Sequence, residues 1–158
     1  MSVPIKQNDQ NQGELIFGQL LEALNHNAEA VIELFHPEVI IEFPYASSLG
    51  TPSKMNFEEW YNYLKGGLPS MPNIIYGKFQ VYKVNENSFW SEVYGETTIP
   101  STKQLYKQNW VMHYTLKEGK INFYKEYWDP YAVIKAFGNG DIEAVKAVFN
   151  TTKSAPNS

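Results

Sequence analysis

The sequence predicts an α+β fold in which helices come first, an antiparallel sheet second and short helices last. Apolar residues recur at intervals of three and four between residues 13 and 35, which is typical of the core-facing side of a helix. From Ile74 the chain becomes rich in β-branched and aromatic residues, separated by short polar turns. After Asp129 the helical spacing returns. A chain of 158 residues suits a single domain of this kind.

Each predicted element has a local justification. In order they are a helix over 13–35 that breaks near residue 26, a strand over 39–43, a helix over 57–65, strands over 76–84, 88–99, 105–117 and 120–128, and helices over 130–138 and 141–149. Pro37 ends the first helix, because the residue before a proline disfavours helical geometry. Asn56 and Glu59 form a capping-box pattern before the second helix. Asp129 and Pro130 supply an N-cap and a first-turn proline for the next one.

The composition argues against several classes of function. The chain has no cysteine, which removes disulfides, thiolate nucleophiles and cysteine-based metal sites. Its basic residues are all lysine and its net charge is −4, so we expect no nucleic-acid partner. No apolar run is long enough to span a membrane, and we expect a soluble, cytoplasmic protein. With no phosphate-binding loop and three scattered histidines, we expect no cofactor or metal.

The domain is expected to extend over residues 13–150. Residues 1–12 are polar and lack an apolar signal core, and residues 151–158 form a polar tail. We expect both end segments to be flexible.

Glu126 is the main candidate for a chemical role. Strand alternation places it on the same face as Tyr124 and Trp128. A carboxylate between two aromatic side chains loses hydration when it ionises, so its pKa should rise toward the range of a general acid or base near neutral pH. The alternative is a surface glutamate paired with a lysine on a neighbouring strand.

A second group of residues has two possible roles. His113, on the adjacent predicted strand, either assists Glu126 or faces solvent on the outer side of the sheet. Aromatic residues of the second helix and the second strand of the meander either line a pocket for a planar ligand or pack in the core. They are Trp60, Tyr61, Tyr63, Phe89, Trp90 and Tyr94.

Several motifs in this order resemble the nuclear transport factor 2-like superfamily, and its SnoaL-like branch most closely. They are the helix end Glu33-Leu34-Phe35, the strand Val39 to Phe43 followed by Pro44, and the closing run from Glu118 to Pro130. Within that branch, residues 87–138 are similar to the phenazine-biosynthesis A/B proteins. The motifs that carry this similarity are Phe89-Trp90-x-Glu92, Gly119 to Ile121 and Glu126 to Pro130.

The resemblance implies a cone-shaped, cystatin-like α+β roll. A strongly curved antiparallel or mixed sheet would wrap around the N-terminal helices, enclose an apolar pocket and form a homodimer through the sheet. Glu126 would be the proton donor to a small cyclic substrate. The histidine that assists the family's glutamate falls at or near Tyr63, whose phenol can donate a hydrogen bond but is a poor base near pH 7. His113 or Glu92 would then assist instead.

A comparison with the steroid isomerases of the same superfamily argues against their reaction. Their catalytic tyrosine falls at Leu20 and their base aspartate at Phe43, and neither residue of this chain can do that chemistry. Glu42 is expected to point to the opposite face of its strand.

Two functions remain open. The first is a cofactor-independent, isomerase-like or lyase-like acid/base enzyme of the isomerase, cyclase or condensation type. It would act on a small apolar or aromatic, cyclic or carbonyl-bearing metabolite, with Glu126 as proton donor or acceptor. The second is a non-catalytic ligand-binding or dimerisation module of the same fold. The candidate catalytic residues are Glu126, His113 and Tyr63, and the candidate substrate-binding residues are Trp60, Trp90, Glu92, Tyr124, Trp128 and Phe43.

Overall fold

A computed structural model describes residues 8–153, and the side chains of residues 12–149. In order, its elements are α1 (Asn8–Leu24), α2 (Ala28–Ile32), β1 (Phe35–Glu42), a 3-10 turn (Ala46–Leu49), β2 (Lys54–Met55), α3 (Phe57–Gly67), a 3-10 turn (Leu68–Ser70), β3 (Ile75–Tyr76), β4 (Gln80–Asn85), β5 (Ser88–Thr98), β6 (Leu105–Lys117), β7 (Lys120–Tyr127), α4 (Pro130–Gly138) and α5 (Ile142–Lys153). The predicted α+β class is confirmed.

The seven strands form one open, mixed sheet in the order β2-β1-β7-β6-β5-β3, with β4 also paired to β5. All neighbouring strands are antiparallel except β1 and β7, which run parallel. The long strands β5, β6 and β7 form the meander that the sequence predicts. The parallel pair brings the N-terminal strand β1 next to β7, which carries Glu126.

The largest differences from the predicted element boundaries are at three places. Helix α1 starts at Asn8, inside the 1–12 segment that was expected to be flexible; residues 1–7 and 154–158 lie outside the described part of the chain. Strand β1 starts at Phe35 and includes Pro37, which lies at an irregularity in the β1–β7 pairing where a missing N–H is tolerated. The predicted strand 76–84 is two strands, interrupted at residues 77–79.

Helix α1 is held against the inner face of the sheet at both of its ends. Near its start, the Tyr114 hydroxyl donates to the Gly13 carbonyl over 2.9 Å, and a Cβ at Gly13 would come within 2.4 Å of the Phe89 ring. Just beyond its last turn, the Asn25 side-chain amide donates to the Ile74 carbonyl over 2.8 Å and accepts from the Ile74 amide over 2.9 Å. The helix therefore covers the inner face at a fixed distance.

Strand β6 shows which face of the sheet is the interior. Its even-numbered side chains from Tyr106 to Leu116 are buried, whereas its odd-numbered ones are exposed or partly exposed. This alternation of period two defines an inner face under the helices and an outer face. Within the described residues, no helix is both long and apolar enough to cross a membrane.

Candidate functional site

Glu126 lies on the inner face of the sheet. In the β6–β7 pairing it is opposite Met112, and Tyr124 is opposite Tyr114. Met112, Tyr114 and Tyr124 are all buried, and directly paired residues share a face. Glu126 forms no ion pair within residues 8–153, whereas its neighbour Lys125 contacts Glu42 at 3.7 Å on the outer side. The geometry therefore differs from that of a surface glutamate.

Burial changes the proton affinity of this carboxyl group. The Glu126 side chain is partly buried, and loss of hydration raises its pKa to about 7. A single hydrogen bond, from the Tyr124 hydroxyl to Oε1 at 3.2 Å, stabilises the ionised form and limits the rise. A pKa near 7 means that protonated and ionised Glu126 are both populated at neutral pH.

Four tyrosines, which we call the tyrosine cluster, lie near enough to Glu126 for its charge to affect their pKa, and one of them, Tyr124, contacts it directly. They are Tyr63 on α3, Tyr76 on β3, Tyr106 on β6 and Tyr124 on β7. Burial raises the pKa of each phenol, and the nearby Glu126 charge raises it further. The pKa of Tyr63 rises to about 12. All four phenols are therefore protonated hydrogen-bond donors at neutral pH, and none of them can serve as a base.

Tyr63 reaches the cluster through the aromatic packing of α3. The capping box of Asn56 and Glu59 begins this helix, with reciprocal hydrogen bonds of 2.9 and 2.8 Å. One turn later the Trp60 ring stacks on Tyr63, with ring centroids 5.8 Å apart, and on Tyr124 at 6.5 Å. Local helix signals and this stacking together place Tyr63 near Glu126.

Trp60 carries an unusual polar atom. Its indole Nε1 is buried and has no hydrogen-bond partner among the described residues. A buried donor without an acceptor is unfavourable by roughly 1 to 3 kcal/mol. The aromatic packing around Trp60, which includes Phe43 at 5.7 Å, offsets this penalty.

Gln108 is a buried residue of the site that sequence reasoning did not identify. Its Nε2 donates to the Tyr106 hydroxyl over 3.2 Å and to the Asp129 carbonyl over 3.0 Å, and its Oε1 accepts from the Asp129 amide over 2.9 Å. It therefore positions Tyr106 and attaches the start of α4 to β6. The available sequence signal was an amide side chain at an inward position of a strand that is otherwise aromatic and apolar on that face.

Three predicted site residues, His113, Trp90 and Glu92, lie on the outer face of the sheet, away from Glu126, and for His113 this is the outward-facing alternative considered from the sequence. His113 is opposite Lys125 in the β6–β7 pairing and opposite Trp90 in the β5–β6 pairing, so all three point outward. The Trp90 ring stacks on His113 with centroids 4.8 Å apart. Glu92 is also exposed there and accepts a hydrogen bond from Tyr82. Partial burial and Lys125 lower the pKa of His113, but the sheet separates it from Glu126.

The remaining candidate catalytic and substrate-binding residues are inside the fold, whereas Tyr94, one of the candidate pocket aromatics, is exposed on the outer face. Tyr63, Trp60, Tyr124 and Phe43 form one continuous set of ring contacts. Trp128 follows the end of β7 and packs, partly buried, against the core. The structure thus brings together most of the aromatic candidates but neither His113, Trp90 nor Glu92.

Two cavities lie near the sheet, and one of them borders the tyrosine cluster. A groove of about 250 Å³ runs between α1 and the β3–β4 segment, and Tyr76 is part of its wall. A second cavity of about 330 Å³ lies at β5 and β6, with Glu92 and Tyr94 in its lining. In the described part of the chain, no three His, Cys, Asp or Glu side chains come together as metal ligands.

Comparison with solved structures identifies the fold as nuclear transport factor 2-like, which confirms the resemblance seen in the sequence. A candidate isomerase from Bacillus subtilis superposes with a TM-score of 0.76 at 22% identity, covering 85% of this chain and 98% of that one. A phenazine biosynthesis-related protein from Pseudomonas aeruginosa gives a TM-score of 0.68 at 16% identity, covering 86% of each chain. The BvnE pinacolase from Penicillium brevicompactum gives 0.70 at 15%, covering 89% of this chain and 99% of that one.

Among curated proteins, the chain is similar to one from Bacillus subtilis strain 168 that is named uncharacterized protein YesE. The two are 25% identical over 122 residues, which cover 76% of this chain and 82% of YesE. No protein-family model matches the chain. The comparisons with solved structures therefore establish the fold.

Proposed function

We propose that this protein is a cofactor-independent acid/base catalyst of the isomerase, cyclase or lyase type that acts on a small cyclic or carbonyl-bearing metabolite. The observation that carries the proposal is Glu126, an inward-facing carboxyl group with a pKa of about 7 and one hydrogen bond. A catalytic acid or base works best when its pKa is close to the working pH. The fold's relatives named as a pinacolase and a candidate isomerase support this class of reaction.

The roles follow from the charge states of the groups. Ionised Glu126 removes a proton from the carbon next to a substrate carbonyl, and the electron pair moves to the carbonyl oxygen. Tyr63, which stays protonated because its pKa is about 12, donates a hydrogen bond to that oxygen. Protonated Glu126 then returns the proton to the same or another carbon, so the net reaction needs no cofactor.

Deuterium uptake tests this proposal. β-Tetralone, a cyclic ketone with exchangeable protons next to its carbonyl, is incubated with the protein in heavy water and analysed by mass spectrometry. We expect the parent protein to accelerate uptake and Glu126→Gln to lose the acceleration. Glu92→Gln, which removes a carboxylate on the outer face, is the matched control and should retain it. Equal uptake with the parent and Glu126→Gln would contradict the proposal.

The second candidate function is a ligand-binding module without chemistry. It is favoured by the aromatic side chains that pack around Glu126, since Trp60, Tyr63 and Tyr124 contact one another directly. A module of this kind would bind β-tetralone, as seen by quenching of tryptophan fluorescence, without increasing its deuterium uptake.

A further inference from the structure

We propose that the groove between α1 and the β3–β4 segment is the entrance to the Glu126 site, and that Tyr76 selects there for an uncharged aromatic ligand carrying a hydrogen-bond-accepting oxygen. This inference rests on the proposed function, since it names the ligand class and the route for the same site. Tyr76 contributes to the wall of the groove and also belongs to the tyrosine cluster.

The sheet register shows that the Tyr76 ring faces the interior. Tyr76 is opposite Gly95, and Gly95 is opposite Gln108 on β6, a buried inner-face residue. Because Gly95 has no side chain, the rings of Tyr76 and Trp110 meet over it, with centroids 5.8 Å apart. A Cβ at Gly95 would lie 3.1 Å from Tyr76 and 2.9 Å from Trp110. Tyr76 thus lies between the groove and the interior.

The groove is lined in part by glycine, and two hydrogen bonds join its walls at one end. Gly18 and Gly77 line it without side chains, and a Cβ at Gly18 would be 3.6 Å from the Phe79 ring across the groove. The two hydrogen bonds between Asn25 and Ile74 join the walls at one end. These bonds fix the distance between the two walls at that end of the groove.

The free donor capacity of two tyrosine hydroxyl groups indicates which polar group the ligand carries. The Tyr76 hydroxyl forms no hydrogen bond within the described residues, and it is not among the fully enclosed polar atoms that lack a partner. The Tyr106 hydroxyl accepts from Gln108, so its own proton remains available for donation. Two phenolic donors near one carboxyl group suit a ligand that brings an acceptor oxygen.

The charge and the aromatic rings of the groove further restrict the class of ligand that it can bind. Glu22 lines the groove and Glu126 lies beyond it, so the route disfavours anions. The rings of Tyr76 and Phe79 in the wall, and of Trp110 behind Tyr76, provide apolar faces for a planar body. A neutral aromatic ketone has all of these properties.

Binding of two matched probes tests the inference. Acetylnaphthalene carries a carbonyl oxygen, and ethylnaphthalene has nearly the same shape without it. Affinities are measured by tryptophan fluorescence, and the bound position by the carboxyl carbon NMR signal of Glu126. We expect acetylnaphthalene to shift that signal, and Tyr76→Phe to weaken its binding by roughly fivefold, the value of one hydrogen bond, while leaving ethylnaphthalene binding unchanged.

Two further variants complete the test. Gly18→Leu should weaken binding of both probes by narrowing the groove, with circular dichroism confirming the fold. Tyr82→Phe, which removes an exposed hydroxyl on the outer face, should change neither affinity. Equal acetylnaphthalene affinity in the parent and Tyr76→Phe, or binding that leaves the Glu126 signal unmoved, would overturn the inference.

The outcome separates this inference from the proposed function. Binding that depends on Tyr76 and Gly18 without β-tetralone exchange supports the entrance and contradicts catalysis. Exchange that is unaffected by Tyr76→Phe and Gly18→Leu supports catalysis and contradicts the entrance.

Discussion

Glu126→Gln is expected to change how the stability of the protein depends on pH. The folded state raises the pKa of Glu126 from 4.5 to about 7, so between these values the folded protein binds more protons than the unfolded chain. The free energy of unfolding of the parent should therefore fall as pH rises through this window. Glutamine has nearly the same shape and does not titrate, so the variant lacks this contribution.

The size of the effect follows from the shift. One pKa unit corresponds to 1.36 kcal/mol, so a rise from 4.5 to about 7 lowers the stability of the parent by about 3 kcal/mol well above pH 7. Between pH 5 and pH 8 the change is about 2 to 3 kcal/mol, because part of the titration occurs outside that interval. This is a large fraction of the roughly 5 to 15 kcal/mol stability of a typical domain.

Urea denaturation at pH 5 and pH 8 measures this difference. We expect the free energy of unfolding of Glu126→Gln minus that of the parent to be about 2 to 3 kcal/mol larger at pH 8 than at pH 5, so that the variant gains relative stability at the higher pH. The Glu92→Gln variant controls for loss of a carboxylate from the same sheet. If the stability of Glu126→Gln relative to the parent were the same at both pH values, the pKa of Glu126 would not be raised in the folded protein.

Three other predictions concern packing and assembly. Ser91→Ala removes a buried hydroxyl that has no partner among the described residues, so it should preserve or raise the stability of the protein. Thr51→Val loses a 3.1 Å hydrogen bond to the Ala46 carbonyl and should lower the stability by about 1 kcal/mol. Thermal denaturation of the two variants and the parent measures both effects. Gly95→Ala should lower stability by about 1 to 3 kcal/mol, since its methyl group would overlap Trp110, and an unchanged melting temperature would contradict this. We propose a homodimer through the outer sheet face, where Trp90 and Tyr94 are exposed, so light scattering should give twice 18.2 kDa rather than the monomer mass.

Elements with strong local signals could be predicted from the sequence. The capping box at Asn56 and the Asp129-Pro130 pair mark helix starts that the structure shows within one residue. Strand β6 was predicted with its observed bounds, because long alternation and flanking turns are both local features. The face of β7 that carries Glu126 follows from alternation as well.

The partners of Glu126 could not be predicted in this way, because strand register is a non-local property. If the pairing of β6 with β7 shifted by one residue, His113 rather than Met112 would be opposite Glu126. The two residues would then share a face of the sheet. Only the observed pairing assigns His113 to the outer side. Tyr76 and Tyr106 join the site from strands β3 and β6, and no sequence spacing relates them to Glu126.

The most direct test of the account is a titration of the Glu126 side chain by carboxyl carbon NMR in the intact protein. We expect the pKa of Glu126 to be about 7, because this inward-facing carboxyl group, next to the tyrosine cluster, is poorly hydrated. Glu126→Gln identifies the signal by its disappearance. A measured pKa at or below 4.5 would contradict the account, since Glu126 would then be ionised and well hydrated throughout the neutral range.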